Sequence, residues 1–430
     1  MPKYIYGIDF GTSNSALAIL DVEQNKIVKL FTEPSILFFP FQEKYTNNPP
    51  YFIGNEAINQ YVKSGMKGRF MKSIKKVLPN KGFIDTKIFG KSFRIEELVA
   101  LLIMDLKTKA DEFLGLKVET AVLGRPVVFD ENPEKDLLAQ IRLEKAANIA
   151  GLKNVFFTLE PIGAAFTYER KLIKEELVLV ADFGGGTTDF SLIKLRPESI
   201  HSKDRSQDMI AKGGIYIGGD SFDADIMWHK GTPHFGKGIK EQTQPGKWID
   251  LPLSYFLNIC SWEKMNFLDT MRWKESLKRS YFLTGNDYRI KNLQTLIEKN
   301  LGYKLFQAIE FSKITLTNEV KTDLIFENEG IDIFETIHIS DFENEIITDN
   351  ILSIKNYLLN FLALQEIDAK KIDSIFITGG SSNVKAIQNL FSALFGKEKI
   401  ISGDNFNSVA IGLAYSYNLF KEETIEVQAF

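Results

Sequence analysis

Apolar and polar residues follow two rhythms along the chain. Tyr4-Ile5-Tyr6-Gly7-Ile8 is apolar and extended, Asp9-Phe10-Gly11-Thr12-Ser13-Asn14 is turn chemistry, and Ser15–Leu20 is apolar again, which predicts a hairpin. A similar unit returns much later. Leu177–Ala181 leads into Asp182-Phe183-Gly184-Gly185-Gly186-Thr187-Thr188-Asp189, and Phe190–Ile193 runs out. Both turns begin Asp-Phe-Gly and continue with hydroxyl residues, so the chain carries an internal repeat of one supersecondary unit. Between them Thr120–Leu123 predicts a strand. Pro133–Ala150 predicts a helix at the 3.6-residue period, with Gly151 as its capping glycine. Asn154–Thr158 predicts the next strand and Glu160-Pro161 the next helix start. This alternation predicts an α/β fold. Residues 40–95, richer in Pro, Asn, Lys and Gly, predict a small inserted subdomain.

The second half continues the pattern. Ile210–Ile217 predicts a strand, Gly218-Gly219-Asp220 a helix start, residues 231–252 a loop, and Ser261–Lys299 mostly helix. Leu301–Leu316 predicts another helix, followed by strands near Asp323–Phe326 and Thr336–Ile339 and a long amphipathic helix over Asp341–Leu362. Ser374–Thr378 predicts a strand, Gly379–Ser382 a turn, and Val384–Phe395 and Ser408–Leu419 the last helices.

Composition narrows the class. The chain has 430 residues, 44% apolar and 25% charged, as in a folded multi-domain protein. A formal charge of −4 argues against a general nucleic-acid or anionic-membrane binder. One cysteine, Cys260, permits neither an intrachain disulfide nor a Cys-based zinc site, and four histidines are too few and scattered for a metal cluster. No apolar stretch approaches the ~18 residues of a membrane span, and the N-terminus lacks a signal-peptide pattern, so a cytoplasmic home is expected.

The two turns carry the candidate chemistry. Glycine lets backbone approach a phosphate, and amide N–H groups and hydroxyls supply donors. An aspartate beside them would repel phosphate unless a cation intervenes, and magnesium, which uses one or two carboxylates and keeps several waters, resolves that conflict. Two such turns facing each other would clamp the phosphates of a nucleotide. Gly231–Gly238 nearly matches a Walker A loop but ends in Gly238 where Ser or Thr is needed, so it is expected to be surface loop, with His229 and His234 solvated.

Further segments carry a family resemblance. Gly7–Ser15 and Asp182–Asp189 resemble the two phosphate loops of the seventy-kilodalton heat-shock chaperones, the DnaK family. Ile217-Gly218-Gly219-Asp220-Ser221-Phe222-Asp223 resembles their ribose segment, Glu310-Phe311-Ser312-Lys313 their adenosine-flanking Glu and Lys, Ile375–Ser382 their adenosine loop, and Leu159–Ala165 their Glu-Pro-x-x-Ala-Ala connection. The matches come in the family's order over about residues 4–418. Ala121–Pro126, Glu160–Ala165, Gly403–Val409 and residues 224–305 are most similar to a short subgroup, the YegD type.

The resemblance implies an actin-like (ribonuclease H-like) ATPase fold of two lobes with a nucleotide cleft between them. The implied divisions are 1–175, with its insertion at 40–95; 176–402, with a helical subdomain at 224–305; a returning C-terminal helix at 403–421; and a tail at 422–430. It implies ATP or ADP with magnesium as ligands. Asp9 and Asp182 would hold the metal largely through water. Gly11, Thr12, Ser13 and Gly184, Gly185, Gly186 and Thr187 would bind phosphates, and Lys75, with Lys72 and Lys76 beside it, would stabilise the attacked phosphate. Glu160 and Asp189 would orient water or metal, and the Thr187 hydroxyl would lie near the γ-phosphate. Gly218, Gly219, Asp220, Glu310, Lys313, Gly379, Gly380, Ser381 and Asn383 would line the nucleoside. Pro126 matches the switch proline, and Gln140 or Arg142 stands for the arginine that follows it. Asn383 replaces an arginine that stacks on the base, and Phe406 replaces an aspartate. The implied activity is Mg-dependent ATP hydrolysis in a chaperone-like protein without a client-peptide domain. Partners would be nucleotide and a protein at 224–305, with no nucleic acid and no membrane. The alternatives are a nucleotide-gated interaction module with little hydrolysis and a bacterial actin-type filament protein.

Overall fold

The computed structural model describes residues 2–44, 46–65, 67–169, 172–201, 205–265, 268, 270–401 and 408–420. Phe406 and the tail beyond 420 lie outside the described residues.

The repeat extends from the hairpins to whole sheets. The first sheet runs Asn154–Leu159, Thr120–Arg125, Tyr4–Phe10, Asn14–Asp21, Lys26–Pro34, and the second runs Ile400–Ile401, Ser374–Thr378, Glu176–Phe183, Thr188–Leu195, Met209–Ile215. In each, two parallel pairings lead into the Asp-Phe-Gly hairpin, and an antiparallel edge strand follows. Tyr4–Phe10 and Glu176–Phe183 are thus equivalent central strands. They read as near-continuous apolar runs because both faces are covered. Lys26–Pro34 escapes the apolar pattern because it is a half-exposed edge strand.

The helix Ser408–Ser416 packs on Tyr4–Phe10 and on the helix Glu160–Glu169, placed there by a very close approach of Gly412 to the Gly163 backbone and of Gly7 to Ala410 and Ala414. A side chain at any of these three glycines would push the layers apart.

Several sequence expectations need correction. Residues 231–252 are not loop: the chain winds through helical turns over Met227–Phe235, with Thr232 and Phe235 fully buried. It then forms a hairpin, Lys240–Gln244 with Lys247–Asp250, turned at Gly246 with φ 75°. The Walker-like stretch is therefore mostly interior, and His234 Nε2 lies 2.9 Å from Glu335 Oε1 rather than in solvent. The strands near 323 and 336 are a longer hairpin, Lys321–Asn328 with Ile331–His338. Its two-residue turn, Glu329-Gly330, has φ of 50° and 83°, as the right-handed strand twist prefers. The long helix at 341 breaks: a wide turn over Phe342–Ile346 precedes the helix Thr348–Leu364. Ser261–Lys299 is helical as expected, in the segments Trp262–Met265, Met271–Leu283 and Tyr288–Glu298.

Among the described residues no helix is long and apolar enough to cross a membrane.

Candidate functional site

The two turns meet. A Cβ at Gly185 would collide with the Ser13 hydroxyl, and a Cβ at Gly186 with the Lys76 ammonium. The first turn is held by Ser35, whose N–H donates to Ser13 O at 2.8 Å and whose hydroxyl donates to Gly11 O at 2.8 Å. The second is held from the helix start that follows Gly218. Gly219 N donates to Gly184 O at 3.1 Å, Asp220 N to Gly185 O at 2.6 Å, and the Ser381 hydroxyl to Gly184 O at 3.2 Å. These contacts use the carbonyls of the turns. Among the described residues the N–H groups of Thr12, Ser13, Gly185 and Gly186 donate to nothing. Unpaired amides around glycine make an anion-binding concavity.

Behind the turns lies a charge cluster. Lys75, on the tight turn Ile74–Val77, donates to Glu160 Oε1 at 2.7 Å, with both side chains largely buried. Burial alone would lower the lysine's pKa, but Glu160, Asp9 and Asp182 outweigh it and raise it, so Lys75 stays a cation. Burial pushes the Asp9 carboxyl up to about 7, with Glu160 and Asp182 adding to the rise and Lys75 opposing it. Burial and then Glu160 raise Asp182, against a hydrogen bond from the Thr378 hydroxyl at 3.0 Å. Asp189 is pushed up to about 6 by burial and by Asp182, although its side chain is open to water and accepts from Thr187 Oγ1 at 3.0 Å.

The three lysines separate. Lys75 takes Glu160, Lys76 reaches Gly186, and Lys72 lies 3.7 Å from Asp220. On the nucleoside side, Lys313 is buried, pairs with Asp223 at 2.7 Å and donates to Gly219 O at 3.1 Å. Burial lifts Asp223 to about 6 against that pairing. Asp223 is the residue that sequence reasoning left out of the site, and its place in the Gly-Gly-Asp-x-Phe-Asp segment is the signal that could have found it. Gly379 takes φ 82°, and a Cβ there would strike Phe183 O and lie 2.6 Å from Asp182 Oδ1, so the backbone itself approaches the second turn. Ser381 is buried, while Gly380, Glu310 and Asn383 are exposed, and Asn383 Nδ2 lies 3.5 Å from Gly380 O.

The two stand-ins for the switch arginine are both engaged elsewhere. Arg142 is buried and donates to the carbonyls of Leu78, Asn80 and Phe83 at 2.8 to 2.9 Å. Gln140 accepts from Arg125, which also grips both oxygens of Asp136 and donates to Pro126 O. Pro126 is thus clasped by its own preceding arginine.

The donor set suits magnesium better than a metal that needs a protein cage. Among the described residues no three His, Cys, Asp or Glu side chains are arranged to hold a metal. Asp9 and Asp182, both with raised proton affinity, fit an ion that takes its remaining ligands from water and phosphate.

Two matching sheets, each carrying an Asp-Phe-Gly turn, make a duplicated α/β fold, which the family match places in the actin-like class. Residues 5–242 and 282–428 match the family model described as Hsp70 protein, and the chain belongs to that family. It is 26% identical to the chaperone protein DnaK of Thermosipho melanesiensis, over 96% of this chain and 58% of that protein. It is 25% identical to the chaperone protein dnaK of Cyanidioschyzon merolae, over 95% of this chain and 61% of the relative. Against the chloroplastic heat shock 70 kDa protein 7 of Arabidopsis thaliana it is 24% identical, over 98% of this chain and 53% of the relative. The chain thus spans little more than half the length of the curated relatives it matches.

Proposed function

We propose that this chain binds ATP with magnesium between the two Asp-Phe-Gly turns and hydrolyses it, as a chaperone-like ATPase of the cytoplasm. The observation that carries the reading is the juxtaposition of Ser13 with Gly185, with four unpaired amides around them and the Lys75–Glu160 pair behind. In this reading 1–175 and 176–402 are two lobes that enclose the nucleotide, 403–421 returns to the first, and 422–430 is a tail. Gly11, Thr12, Ser13 and Gly184–Thr187 cradle the phosphates. Gly218, Gly219 and Asp220 hold the ribose side. Glu310, Lys313, Gly379, Gly380, Ser381 and Asn383 line the base.

Bound at Asp9 and Asp182, magnesium would neutralise phosphate charge. Lys75, permanently cationic, stabilises charge developing on the transferred phosphoryl group. Glu160 fixes Lys75 in place. Asp189, with Thr187 donating to it, orients the attacking water and can take its proton near neutral pH. Because the Lys313 ammonium is already committed to Asp223 and Gly219 O, it shapes the pocket more than it grips the base. Residues 224–305 offer a surface to a protein partner.

Single-turnover hydrolysis of radiolabelled ATP tests the reading. Mg-dependent phosphate release supports it. Tight nucleotide binding without release would favour a nucleotide-gated interaction module, for which the exposed Asn383 and Glu310 give a specific reason: a base held loosely is easily exchanged.

A further inference from the structure

Residues 243–281 fall between the two stretches that match the family, and they expose Trp248, Leu253, Leu257 and Met271. The segment is firmly built. Glu241 of the hairpin accepts from Ser280 Oγ at 2.9 Å in the interior of the fold. Tyr255, on the helix Leu253–Ile259, shares a hydrogen bond of 2.5 Å with the Ser276 hydroxyl and sets its ring 5.1 Å from that of Trp273. Ser276, Leu277 and Ser280 therefore form the inner side of the helix Met271–Leu283, and its outer side is a fixed surface.

That outer side has a definite pattern. Met271, Glu275, Lys278 and Phe282 are exposed, and steps of four, three and four residues place them on one stripe of the helix. Arg272 and Arg279, also exposed, flank it. The apolar ends are open to water, Met271 72% and Phe282 76% exposed. The helix carries four basic residues and one acid in a chain of net charge −4, and its first turn holds no acid. Arg272 thus sits at the positive end of the helix dipole, where folding alone disfavours it. Arg272, Lys278 and Arg279 make no ion pair among the described residues.

We propose that the outer face of Met271–Leu283 docks an acidic amphipathic helix of a partner protein. Met271 and Phe282 would receive apolar anchors, and Arg272, Lys278 and Arg279 would receive carboxylates. This deepens the reading of 224–305 as a partner surface and rests on it. Met271 to Phe282 spans ~16 Å, about three turns of a facing helix. The arginines suit carboxylates because their forks bind two oxygens at once. An anionic membrane calls for a cluster of about 4–8 cations, and Glu275 in the middle of the stripe repels a uniformly negative surface.

The test uses the full chain and a fluorescein-labelled synthetic helical peptide with Leu and Phe on one face and Asp and Glu flanking it. A matched peptide with Lys for every acid, phosphatidylserine–phosphatidylcholine vesicles and single-stranded DNA serve as alternatives. Anisotropy should show the acidic peptide bound and the Lys peptide unbound. Lys278→Glu combined with Arg279→Glu should weaken binding about tenfold, and Phe282→Ser by a similar factor. Added salt should weaken it as well. Failure to bind the acidic peptide, equal binding of both peptides, indifference to charge reversal, binding of vesicles or DNA instead, or pairing of the chain with itself through this face would each overturn the proposal. Calorimetry with Mg-ATP on the same variants separates the two readings. The charge-reversed chain should take nucleotide as the parent does, whereas a parent that takes none would fault the nucleotide site and leave this surface to the peptide result.

Discussion

The first Asp-Phe-Gly turn and the second are near copies in sequence, yet they are held by different means. The first is braced from within its own sheet. Ser35, at the end of the neighbouring edge strand, clamps the backbone of Gly11 and Ser13, and its hydroxyl shares a 2.7 Å hydrogen bond with that of Ser15. The second is braced from distant segments: the Gly218–Asp220 helix start, Ser381 and Gly379. Asp182 accepts from Thr378, whereas no side chain among the described residues hydrogen-bonds Asp9. Burial and then Glu160 raise both carboxyls and Lys75 opposes the rise at each, while at Asp182 the Thr378 hydroxyl opposes it as well. The comparison teaches that one motif can be braced by its own sheet in one half and by segments distant in the chain in the other.

The largest effect should come from the group both turns share. Lys75→Ala removes the cation from among Glu160, Asp9 and Asp182 and should slow single-turnover hydrolysis by about 10²–10³-fold while nucleotide still binds. Retained turnover would show that Lys72 or Lys76 carries the role.

The aspartates sharpen the contrast through pH. A carboxyl whose folded pKa exceeds its ordinary value near 3.8 is penalised in its ionised form. Stability of the nucleotide-free protein should therefore fall as pH rises from about 4 to about 7, the range set by Asp9. Asp9→Asn should flatten that fall and raise the melting temperature at pH 8, and Asp182→Asn should act in the same direction. Both should lower Mg-dependent turnover. Thermal melts across pH check this, and a fall left unchanged by Asp9→Asn would contradict it.

The glycines give a smaller and opposite pair of effects. A Cβ at Gly11 meets the carbonyl of Asn14, which is backbone and cannot yield, so Gly11→Ala should cost about 1–3 kcal/mol of stability. A Cβ at Gly185 meets the Ser13 hydroxyl, which can rotate away. Gly185→Ala should leave stability within about 1 kcal/mol and instead weaken nucleotide binding, read by denaturant melts beside titrations. The smallest change is Thr378→Ala. It removes one hydrogen bond from Asp182, should cost about 1 kcal/mol, and should raise the Asp182 carboxyl further.

Much of this was legible in the chain. The repeated Asp-Phe-Gly turns, the strand–helix alternation and the ordered motifs pointed to the duplicated α/β fold, and the sheets repeat strand for strand. Local pattern failed where burial came from distant partners. Lys26–Pro34 is an edge strand whose apolar residues, Ile27, Val28, Leu30 and Phe31, do not alternate, and Gly231–Phe235 looked like loop because its glycine and proline concealed a turn that Phe235 anchors in the core. At the site, the family resemblance named Lys75 with Lys72 and Lys76 beside it, and their different partners, Glu160 for Lys75 and Asp220 for Lys72, are visible only in three dimensions. Lys313 was assigned to nucleotide, and its commitment to Asp223 is visible only in three dimensions.

The most direct measurement is a calorimetric titration of Mg-ATP into the parent chain, Asp9→Asn and Gly185→Ala, each with and without a chelator. The two-turn account predicts saturable binding to the parent that weakens when magnesium is removed, with a loss for both variants, one from each turn. Absence of binding to the parent, or binding that neither variant weakens, would contradict it.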